Sequence, residues 1–485
     1  MLTVELIRRG AARFPERTAL IEGDDSLTFA EADELANRLA HALGAAAGTR
    51  VGLLLGNSLL SVPLDFACAK AGLVRVPLNA RLAAAEQEQM LRGTGVSLLV
   101  HGAAETERAR ELAAAMPALR PVELEGELVP AAEAAPADDP LVPVEPGDPL
   151  LALYTSGTTG KLKAVVHTQA SYAAICANIL ANLLGDVRRD DVMLHAASLI
   201  HASGTFVLPF WSRGAASAIL PGFVPGEFLA AIPRHRVTHV NLVPTMLGLL
   251  LQQPGIEEAD VSSLRTIVYG ASPMPRPLLE RGLALWGPRF VQYYGQTEAP
   301  LCISVLRADE HEGELLGSCG HPAVDCEVRL DERTSEILVR APFVAAGYHG
   351  DEELHRETFL AGGWVRTRDV GRFDERGYLY LVDRTSDMIV TGGYNVYPRE
   401  VEDTLAAHPA VRECAVVGAP DETWVEAVTA FVVLGGEASE EELIEHCRGL
   451  LAGYKVPKSV RFVDAIPKSA VGKLLRRALR EPLWR

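Results

Sequence analysis

The chain has 485 residues, more than one hydrophobic core normally supports, which predicts at least two structural units. Its net charge of -17 argues against a nucleic-acid partner, because contacts to a phosphate backbone need clustered lysine and arginine. With 48% hydrophobic and 22% charged residues, the composition is typical of a soluble globular protein.

The 7 cysteines are odd in number and include no C-x-x-C pair. That usage favours reduced thiols in a cytosol over a disulfide framework or a zinc site. Residues 1–17 predict an amphipathic helix and not a secretory signal. No run of about 18 apolar residues is free of charge and proline. We therefore predict a cytoplasmic protein without a membrane span.

Helical patterns alternate with short apolar runs over the first 145 or so residues. The helical patterns cover 29–43 and 59–71, and the apolar runs include 51–55 and 98–100. This alternation predicts β-α-β units on a mostly parallel sheet. Residues 121–149 are rich in Pro, Ala, Glu and Asp, which predicts an irregular connector. The alternation then resumes from residue 150 to about 330.

Short alternating strands separated by turns occupy residues 320–385, a pattern typical of a β-barrel-like part or a meander. A compact α+β pattern follows from about residue 386. We predict an α/β protein with a large N-terminal domain, 1–385, of mostly parallel sheets plus the small β-barrel-like part. A small mobile α+β domain, 386–485, completes it.

A glycine- and hydroxyl-rich loop follows directly after the predicted strand 150–154. Such glycines let the backbone approach a ligand closely, hydroxyls can donate to phosphate oxygens, and Lys163 can add positive charge. The loop lies at the carboxyl end of a strand, where open α/β sheets bind ligands, and it is not a Walker loop. The candidate phosphate-binding residues are Thr155, Ser156, Gly157, Thr158, Thr159, Gly160 and Lys161.

The segment Tyr154-Thr-Ser-Gly-Thr-Thr-Gly-Lys-Leu-Lys163 resembles the signature of the adenylate-forming superfamily. That superfamily includes acyl-CoA synthetases, peptide-synthetase adenylation domains and beetle luciferases. The segment departs from the commonest form at Leu162, where proline is usual, and at Ala164, where glycine is usual. Neither change removes a hydroxyl or a lysine. The resemblance implies that the loop binds the triphosphate of ATP and that Mg2+ and CoA are also required.

A second motif of the same superfamily is Tyr293-Tyr-Gly-Gln-Thr-Glu298, which we call the YYGQTE turn. The resemblance implies that Tyr294 stacks on adenine, that Thr297 contacts the α-phosphate and that Glu298 holds Mg2+. It also places Gln296 in the ATP site. A single carboxylate combined with phosphate oxygens is a set of ligands that Mg2+ accepts readily.

Three further segments occur in the order that the superfamily shows. Gly270, Ala271 and Ser272 resemble the stretch along the edge of adenine. Asp369 resembles the aspartate that accepts both ribose hydroxyls, a role that suits a carboxylate. Arg384 resembles an arginine that contacts ribose or phosphate just before a hinge.

The resemblance further implies a C-terminal domain that rotates between two half-reactions. Lys473 matches the lysine that bridges the carboxylate and the α-phosphate during adenylation. The pivot is usually Asp or Lys, but Ser386 stands there with Asp387 next, so the hinge residue is open. The residues that correspond to the CoA channel are Gly392, Gly393 and Tyr394.

The acid is the open question, because the fold alone does not fix it. His201 matches a histidine at the mouth of the acyl pocket, which Ala202, Ser203, Ala271 and Leu301 would line with it. The segment 236–244 is most similar to malonyl- and methylmalonyl-CoA synthetases, in which an arginine stands at the position of Arg236.

An arginine could pair with the distal carboxylate of malonate. However, Arg236 lies roughly 25 Å from Pro244 if the intervening residues form a strand. The alternative is a solvated arginine.

The sequence thus predicts an ATP-dependent ligase that joins malonate or methylmalonate to CoA through an acyl-adenylate. The partner is a small carboxylic acid, and the oligomeric state stays open. The alternatives are a CoA ligase for a medium-chain or aromatic acid, or a stand-alone adenylation module. A non-enzymatic nucleotide-binding protein is a third hypothesis, against which Lys473, Glu298 and Asp369 argue together.

Overall fold

The structure is a computed structural model. It describes residues 1–156, 162–200, 202–272, 274–384, 387–391, 394–421, 424–468 and 474–484. At 156, 383, 384, 390, 394 and 395 it describes the main chain alone. Within these ranges, no helix has the length and apolar character needed to cross a membrane.

Strands are distributed along the whole chain. In chain order, β1 to β25 are Thr18–Glu22, Asp25–Thr28, Arg50–Leu54, Val74–Pro77, Leu98–His101, Arg120–Glu123, Pro149–Ser156, Leu162–Thr168, Val192–His195, Ala216–Ile219, His239–Leu242, Thr266–Tyr269, Phe290–Gln296, Ala299–Leu306, His321–Pro322, Glu327–Leu330, Glu336–Arg340, Gly347–Tyr348, Val365–Phe373, Leu379–Arg384, Ile389–Thr391, Tyr394–Val396, Val411–Asp421, Val425–Leu434 and Ser459–Phe462.

The α-helices alternate with these strands in the first 290 residues and become sparser afterwards. In chain order, α1 to α15 are Thr3–Arg13, Phe29–Leu43, Ser61–Lys70, Ala84–Thr94, Thr106–Ala115, Val129–Glu133, Gln169–Asn182, Val207–Arg213, Pro225–His235, Pro244–Leu251, Arg276–Trp286, Glu352–Thr358, Pro398–Ala406, Glu440–Leu450 and Arg476–Arg480.

Two large sheets form the N-terminal part of the molecule. The first has nine strands in the order β15-β14-β13-β12-β11-β9-β10-β1-β2, and the run from β13 to β1 is parallel. The second has seven strands in the order β18-β8-β7-β4-β3-β5-β6, with β7, β4, β3, β5 and β6 parallel. The predicted mostly parallel α/β architecture is confirmed.

Two smaller sheets follow. Strands β16, β17, β19 and β20 form a four-stranded antiparallel sheet, which is the predicted meander. The last sheet has the order β22-β21-β24-β23, with β25 parallel to β24, and α13 and α14 contribute to its core. A large N-terminal and a smaller C-terminal domain therefore match the predicted fold class. The boundary at 385/386 stays a prediction, since both residues lie outside the described ranges.

The predicted helix at 29–43 is α2 and shows why these elements form where they do. Thr28 caps its first turn by accepting from the Glu31 amide at 3.1 Å, and the Thr28 amide donates to the Glu31 carboxylate at 2.8 Å. Gly44 ends it in the left-handed conformation, at φ 57. Residues 121–149, in contrast, are not wholly irregular, because they include the end of β6 and α6. Leu124, Leu128 and Ala132 recur every four residues and are buried, which holds this stretch against the core.

Candidate active site

The first four residues of the YYGQTE turn end β13, and Thr297 and Glu298 connect it to β14 in the nine-stranded sheet. It closes tightly: a Cβ on Gly295 would lie 2.5 Å from the Leu301 amide nitrogen and 2.6 Å from the Leu301 carbonyl oxygen. Real Cβ atoms do not approach backbone so closely, so only glycine fits. Leu301 itself has φ 60, a left-handed conformation that is strained for a branched residue. The main chain is thus constrained at Gly295 and at Leu301.

Thr297 connects this turn to the seven-stranded sheet. The His167 Nε2 atom lies 2.8 Å from the Thr297 carbonyl oxygen, and His167 belongs to β8, which begins just after the phosphate loop. Burial lowers the pKa of His167 to about 4, against the opposing effect of this bond. A neutral imidazole therefore donates from Nε2 to the carbonyl and holds the turn beside the strand that follows the loop.

Glu298 is held through both its main chain and its side chain by one neighbouring segment. The Ala345 amide donates to the Glu298 carbonyl at 2.8 Å, and the Tyr348 hydroxyl donates to Glu298 Oε1 at 2.5 Å. The Glu298 side chain is partly buried, and among the described residues none forms an ion pair with it. A partly buried carboxylate with one hydroxyl donor and no paired cation fits the ligand that Mg2+ prefers.

Lys163 contributes positive charge near this carboxylate. Its ammonium lies 5.8 Å from the centroid of the Tyr348 ring. Burial lowers the pKa of Lys163 and the Arg368 cation lowers it further, while Glu298 opposes both. A desolvated cation beside another cation is stabilised by an anionic ligand, so Lys163 suits a phosphate group.

Tyr294 and Asp369 come together although 75 positions separate them. The Tyr294 hydroxyl donates to Asp369 Oδ2 at 2.7 Å, and both side chains are buried. Burial first, and the Asp369 charge second, raise the pKa of Tyr294 well above its usual value. Asp369 lies on β19 directly opposite the Arg384 backbone on β20. The predicted adenine and ribose residues are therefore in direct contact.

Gly270, Ala271 and Ser272 follow the carboxyl end of β12. A Cβ on Gly270 would lie 2.6 Å from the Tyr293 carbonyl oxygen, so this glycine is required by the adjacent strand. Ala271 is exposed and has φ 67, which turns the chain sharply at the edge of the sheet.

The predicted acyl residues follow two strand ends of the same sheet. Ser203 is buried, and its Oγ lies 3.0 Å from His195 Nδ1 at the end of β9. Burial lowers the pKa of His195 to about 4, so a neutral histidine anchors the segment that carries Ala202. Leu301 belongs to the β13–β14 hairpin and is also buried.

Arg236 is not brought to this edge. It is exposed and ends α9 in a left-handed conformation, just before the amino end of β11. Because β11 is parallel to β9 and β12, its amino end faces away from the segments after their carboxyl ends. The structure therefore places Arg236 with the solvated arginines, away from Ala202 and Ala271.

Several predicted residues lie outside the described ranges or have only their main chain described. Asp387 is described: its Oδ2 accepts from Arg476 Nη1 at 2.9 Å. Thr155 and Ser156 end β7 where the phosphate loop begins. Undescribed are Gly157, Thr158, Thr159, Gly160, Lys161, His201, Ser386, Gly392, Gly393 and Lys473, and the main chain alone is described at Ser156, Arg384 and Tyr394.

The sequence analysis missed His167, Tyr348 and Arg368. Each lies far from the YYGQTE turn in sequence, and a histidine, tyrosine or arginine outside a motif carries no local indication of its partner. The pairing of β8 with β18 brings the first two together, and this pairing has no sequence pattern of its own.

Comparison with known proteins agrees with this geometry. The profile of the AMP-binding enzyme family matches residues 7–349, and that of its C-terminal domain matches residues 400–473. A feruloyl-CoA synthase of an Amycolatopsis species is 40% identical, with 97% of each chain covered. The medium/long-chain-fatty-acid–CoA ligase FadD8 of Mycobacterium tuberculosis (strain ATCC 25618 / H37Rv) is 36% identical, over 97% of this chain and 88% of that protein.

Among solved structures, the amide bond synthetase McbA from Marinactinospora thermotolerans superimposes with a TM-score of 0.90 at 30% identity. The match covers 98% of this chain and 99% of McbA. Full-length similarity at these identities, together with the two matching profiles, establishes the relationship. The chain belongs to the AMP-binding enzyme family.

Proposed function

We propose that this protein is an AMP-forming acyl-CoA ligase that acts on an aromatic acid of the hydroxycinnamate kind. The carboxylate of the acid attacks the α-phosphate of ATP, giving an acyl-adenylate and pyrophosphate. The CoA thiol then attacks the acyl carbon, giving the thioester and AMP. The observation that carries the proposal is the 40% identity to a feruloyl-CoA synthase over 97% of both chains.

The described residues support the nucleotide half of this reaction. Tyr294 and Asp369 would hold adenosine, and Thr155 and Lys163 lie at the two ends of the phosphate loop. Glu298 would hold Mg2+, which neutralises phosphate charge when bound. The loop after β7 and residues 270–272 after β12 each follow the carboxyl end of a strand, a usual ligand position in open α/β sheets.

The C-terminal residues carry the proposed division between half-reactions. Lys473 would stabilise charge that develops at the α-phosphate during adenylation. The segment of Gly392, Gly393 and Tyr394 would admit the pantetheine arm of CoA once the C-terminal domain has turned near Ser386 and Asp387. These assignments follow from the resemblance.

The preference for malonate predicted from the sequence is not supported. The two curated relatives above are named for feruloyl-CoA and for medium- and long-chain fatty acids. Arg236, which the sequence suggested as the partner of the distal carboxylate, is exposed at the amino ends of the parallel strands, opposite the carboxyl ends that carry the site. Alanine and leucine at 202 and 301 are instead compatible with an uncharged ring or chain. A fatty acid is the second candidate, favoured by the 36% identity to FadD8.

The test is ATP–pyrophosphate exchange with ferulate, 4-coumarate, benzoate, hexanoate, palmitate, malonate and methylmalonate. We expect the highest exchange with the two hydroxycinnamates, and formation of the matching acyl-CoA when CoA is added. Exchange with palmitate alone would select the fatty-acid candidate, and exchange with malonate alone would refute both. Amide formation with an added amine, but no thioester with CoA, would place the protein with amide bond synthetases.

Lys473→Ala tests the adenylation step separately. We expect exchange to be abolished, while hydrolysis of a preformed acyl-adenylate analogue, or its thioesterification by CoA, is retained. Lys468→Ala is the matched control, because Lys468 lies on the same segment and pairs with Glu413 at 2.8 Å. Full exchange in Lys473→Ala would show that the mechanism is wrong.

A further inference from the structure

Tyr348 makes the one side-chain hydrogen bond to Glu298 that the described part of the chain shows. Its hydroxyl lies 2.5 Å from Oε1, a length typical of a strong bond from a hydroxyl to a charged carboxylate. The bond occupies one of the two carboxylate oxygens and fixes the rotation of the group. Within the described residues, Oε2 has no hydrogen-bond donor.

The position of Tyr348 is itself fixed by its surroundings. Its strand pairs with β8, with Tyr348 opposite Val165, and the amides of Ala346 and His349 donate to β8 carbonyls at 2.8 and 2.9 Å. The ring packs edge-on against Phe359 at a centroid distance of 5.5 Å. A side chain held in this way presents its hydroxyl in one direction before any ligand arrives.

The same strand, β8, begins immediately after the phosphate loop. Tyr348 therefore connects the carboxylate of the YYGQTE turn to the strand that leaves the loop. Glu298 and the phosphate loop would both have to reach the metal ion of the nucleotide, which requires a fixed separation between them. The Tyr348 hydroxyl sets that separation on the side of the carboxylate.

We propose that Tyr348 is a positioning residue that orients the Glu298 carboxylate to bind the metal ion of the metal–ATP complex. This inference rests on the assignment of Glu298 proposed above. Residues that orient a metal ligand typically change metal affinity 10- to 100-fold when removed. In this proposal Tyr348 acts on the metal ion only through Glu298. Its loss should therefore weaken metal binding and leave the binding of AMP without metal unchanged.

The decisive variant is Tyr348→Phe, which keeps the ring and removes only the hydroxyl. The matched control is Tyr378→Phe, because the Tyr378 hydroxyl also donates to a glutamate, Glu310, at 3.0 Å. That pair lies at the turn end of the β19–β20 hairpin, away from Asp369. Tyr348→Phe deletes a tyrosine–glutamate bond at the candidate metal site, and Tyr378→Phe deletes a bond of the same kind elsewhere.

Three measurements are compared on the purified full-length protein. The first is the affinity for Mn2+ in the presence of ATP, followed by electron paramagnetic resonance. The second is the Mg2+ concentration that half-saturates ATP–pyrophosphate exchange. The third is the affinity for AMP without metal, measured by calorimetry, which also reports whether the site is folded.

We expect Tyr348→Phe to raise the Mn2+ dissociation constant and the half-saturating Mg2+ concentration about 10- to 100-fold, and to leave AMP affinity within two-fold. Tyr378→Phe should change none of them. Unchanged metal constants in Tyr348→Phe, or an equal weakening of AMP and metal binding, would overturn the inference. Glu298→Gln tests the assignment of Glu298 apart from the role of Tyr348. If the Mn2+ dissociation constant and the half-saturating Mg2+ concentration stay unchanged in this variant, Glu298 is not the metal ligand.

Discussion

Val425 has a backbone conformation that few residues of its type adopt. It begins β24 at φ 69, in the left-handed region, although it is β-branched. Its side chain is 66% exposed, so burial does not compensate for the conformation. Such strain in a valine is uncommon and predicts that glycine would be more stable at this position.

The magnitude follows from three contributions. The left-handed conformation costs an L residue roughly 1–2 kcal/mol, and a β-branched side chain tolerates it poorly. Glycine removes that cost, but its freedom in the unfolded chain offsets roughly 0.5–1 kcal/mol of the gain. Little apolar surface is lost, because the side chain is mostly exposed. The Val425→Gly variant should therefore be more stable by about 0.5–1 kcal/mol.

Hydrogen exchange of peptides from β23 and β24 measures this gain locally, which avoids assuming two-state unfolding of a multidomain chain. Val425→Gly should increase amide protection about two- to five-fold. Val324→Gly is the control, since Val324 is 87% exposed and lacks the left-handed φ. It should lower protection in its own peptide by a similar factor. A loss of protection in both variants would refute the argument from strain.

Three further outcomes are expected. Tyr294→Phe should raise the KM for ATP roughly 10- to 100-fold through loss of its bond to Asp369, with the KM for the acid unchanged in ATP–pyrophosphate exchange. Gly295→Ala should lose folded protein or all exchange, because its Cβ meets Leu301 backbone, whereas Gly317→Ala, with open space around it, should retain both. His167 has a folded-state pKa of about 4, below the usual 6.5, so unfolded chains bind the extra proton and stability falls as the pH drops from 6.5 to 4. His167→Gln should make that fall shallower by about 1.4 kcal/mol per pH unit in denaturant titrations.

Local patterns in the sequence predicted most of the fold. The predicted helix at 29–43 matches α2 to the residue, because Thr28 and Gly44 mark its two ends. The connector at 121–149 was less predictable, since its proline and acidic content hides the apolar residues at 124, 128 and 132. Those residues form a helical stripe only once their partners in the core are known.

The candidate site, like the fold, was predictable from the sequence only in part. The motifs predicted Tyr294, Glu298 and Asp369 as nucleotide residues, which stays a prediction, and the family that these motifs indicated is confirmed. The motifs gave no indication that Tyr294 contacts Asp369 or that Tyr348 contacts Glu298. Such contacts depend on which strands become neighbours, and side-chain patterns within one segment do not determine this. For Arg236 the sequence left two interpretations open, and its exposed position after α9 fits the solvated arginine.

The YYGQTE turn belongs to one sheet but is held by all three sheets of the N-terminal part. His167 and Tyr348 bind it from the seven-stranded sheet, and Asp369 binds it from the four-stranded sheet. The His167 bond holds the main chain at Thr297, while the two tyrosine–carboxylate bonds hold the side chains of Tyr294 and Glu298.

Two of those bonds join a tyrosine to a carboxylate that is expected to bind the nucleotide or its metal ion. Each carboxylate is therefore oriented before the ligand arrives, which lowers the cost of ordering it on binding. Because the bonds join different sheets, a shift of the seven-stranded sheet would move the donor of Glu298, and a shift of the four-stranded sheet would move Asp369 away from Tyr294. The relative position of the sheets then becomes a determinant of nucleotide affinity, although no single sheet contains the site.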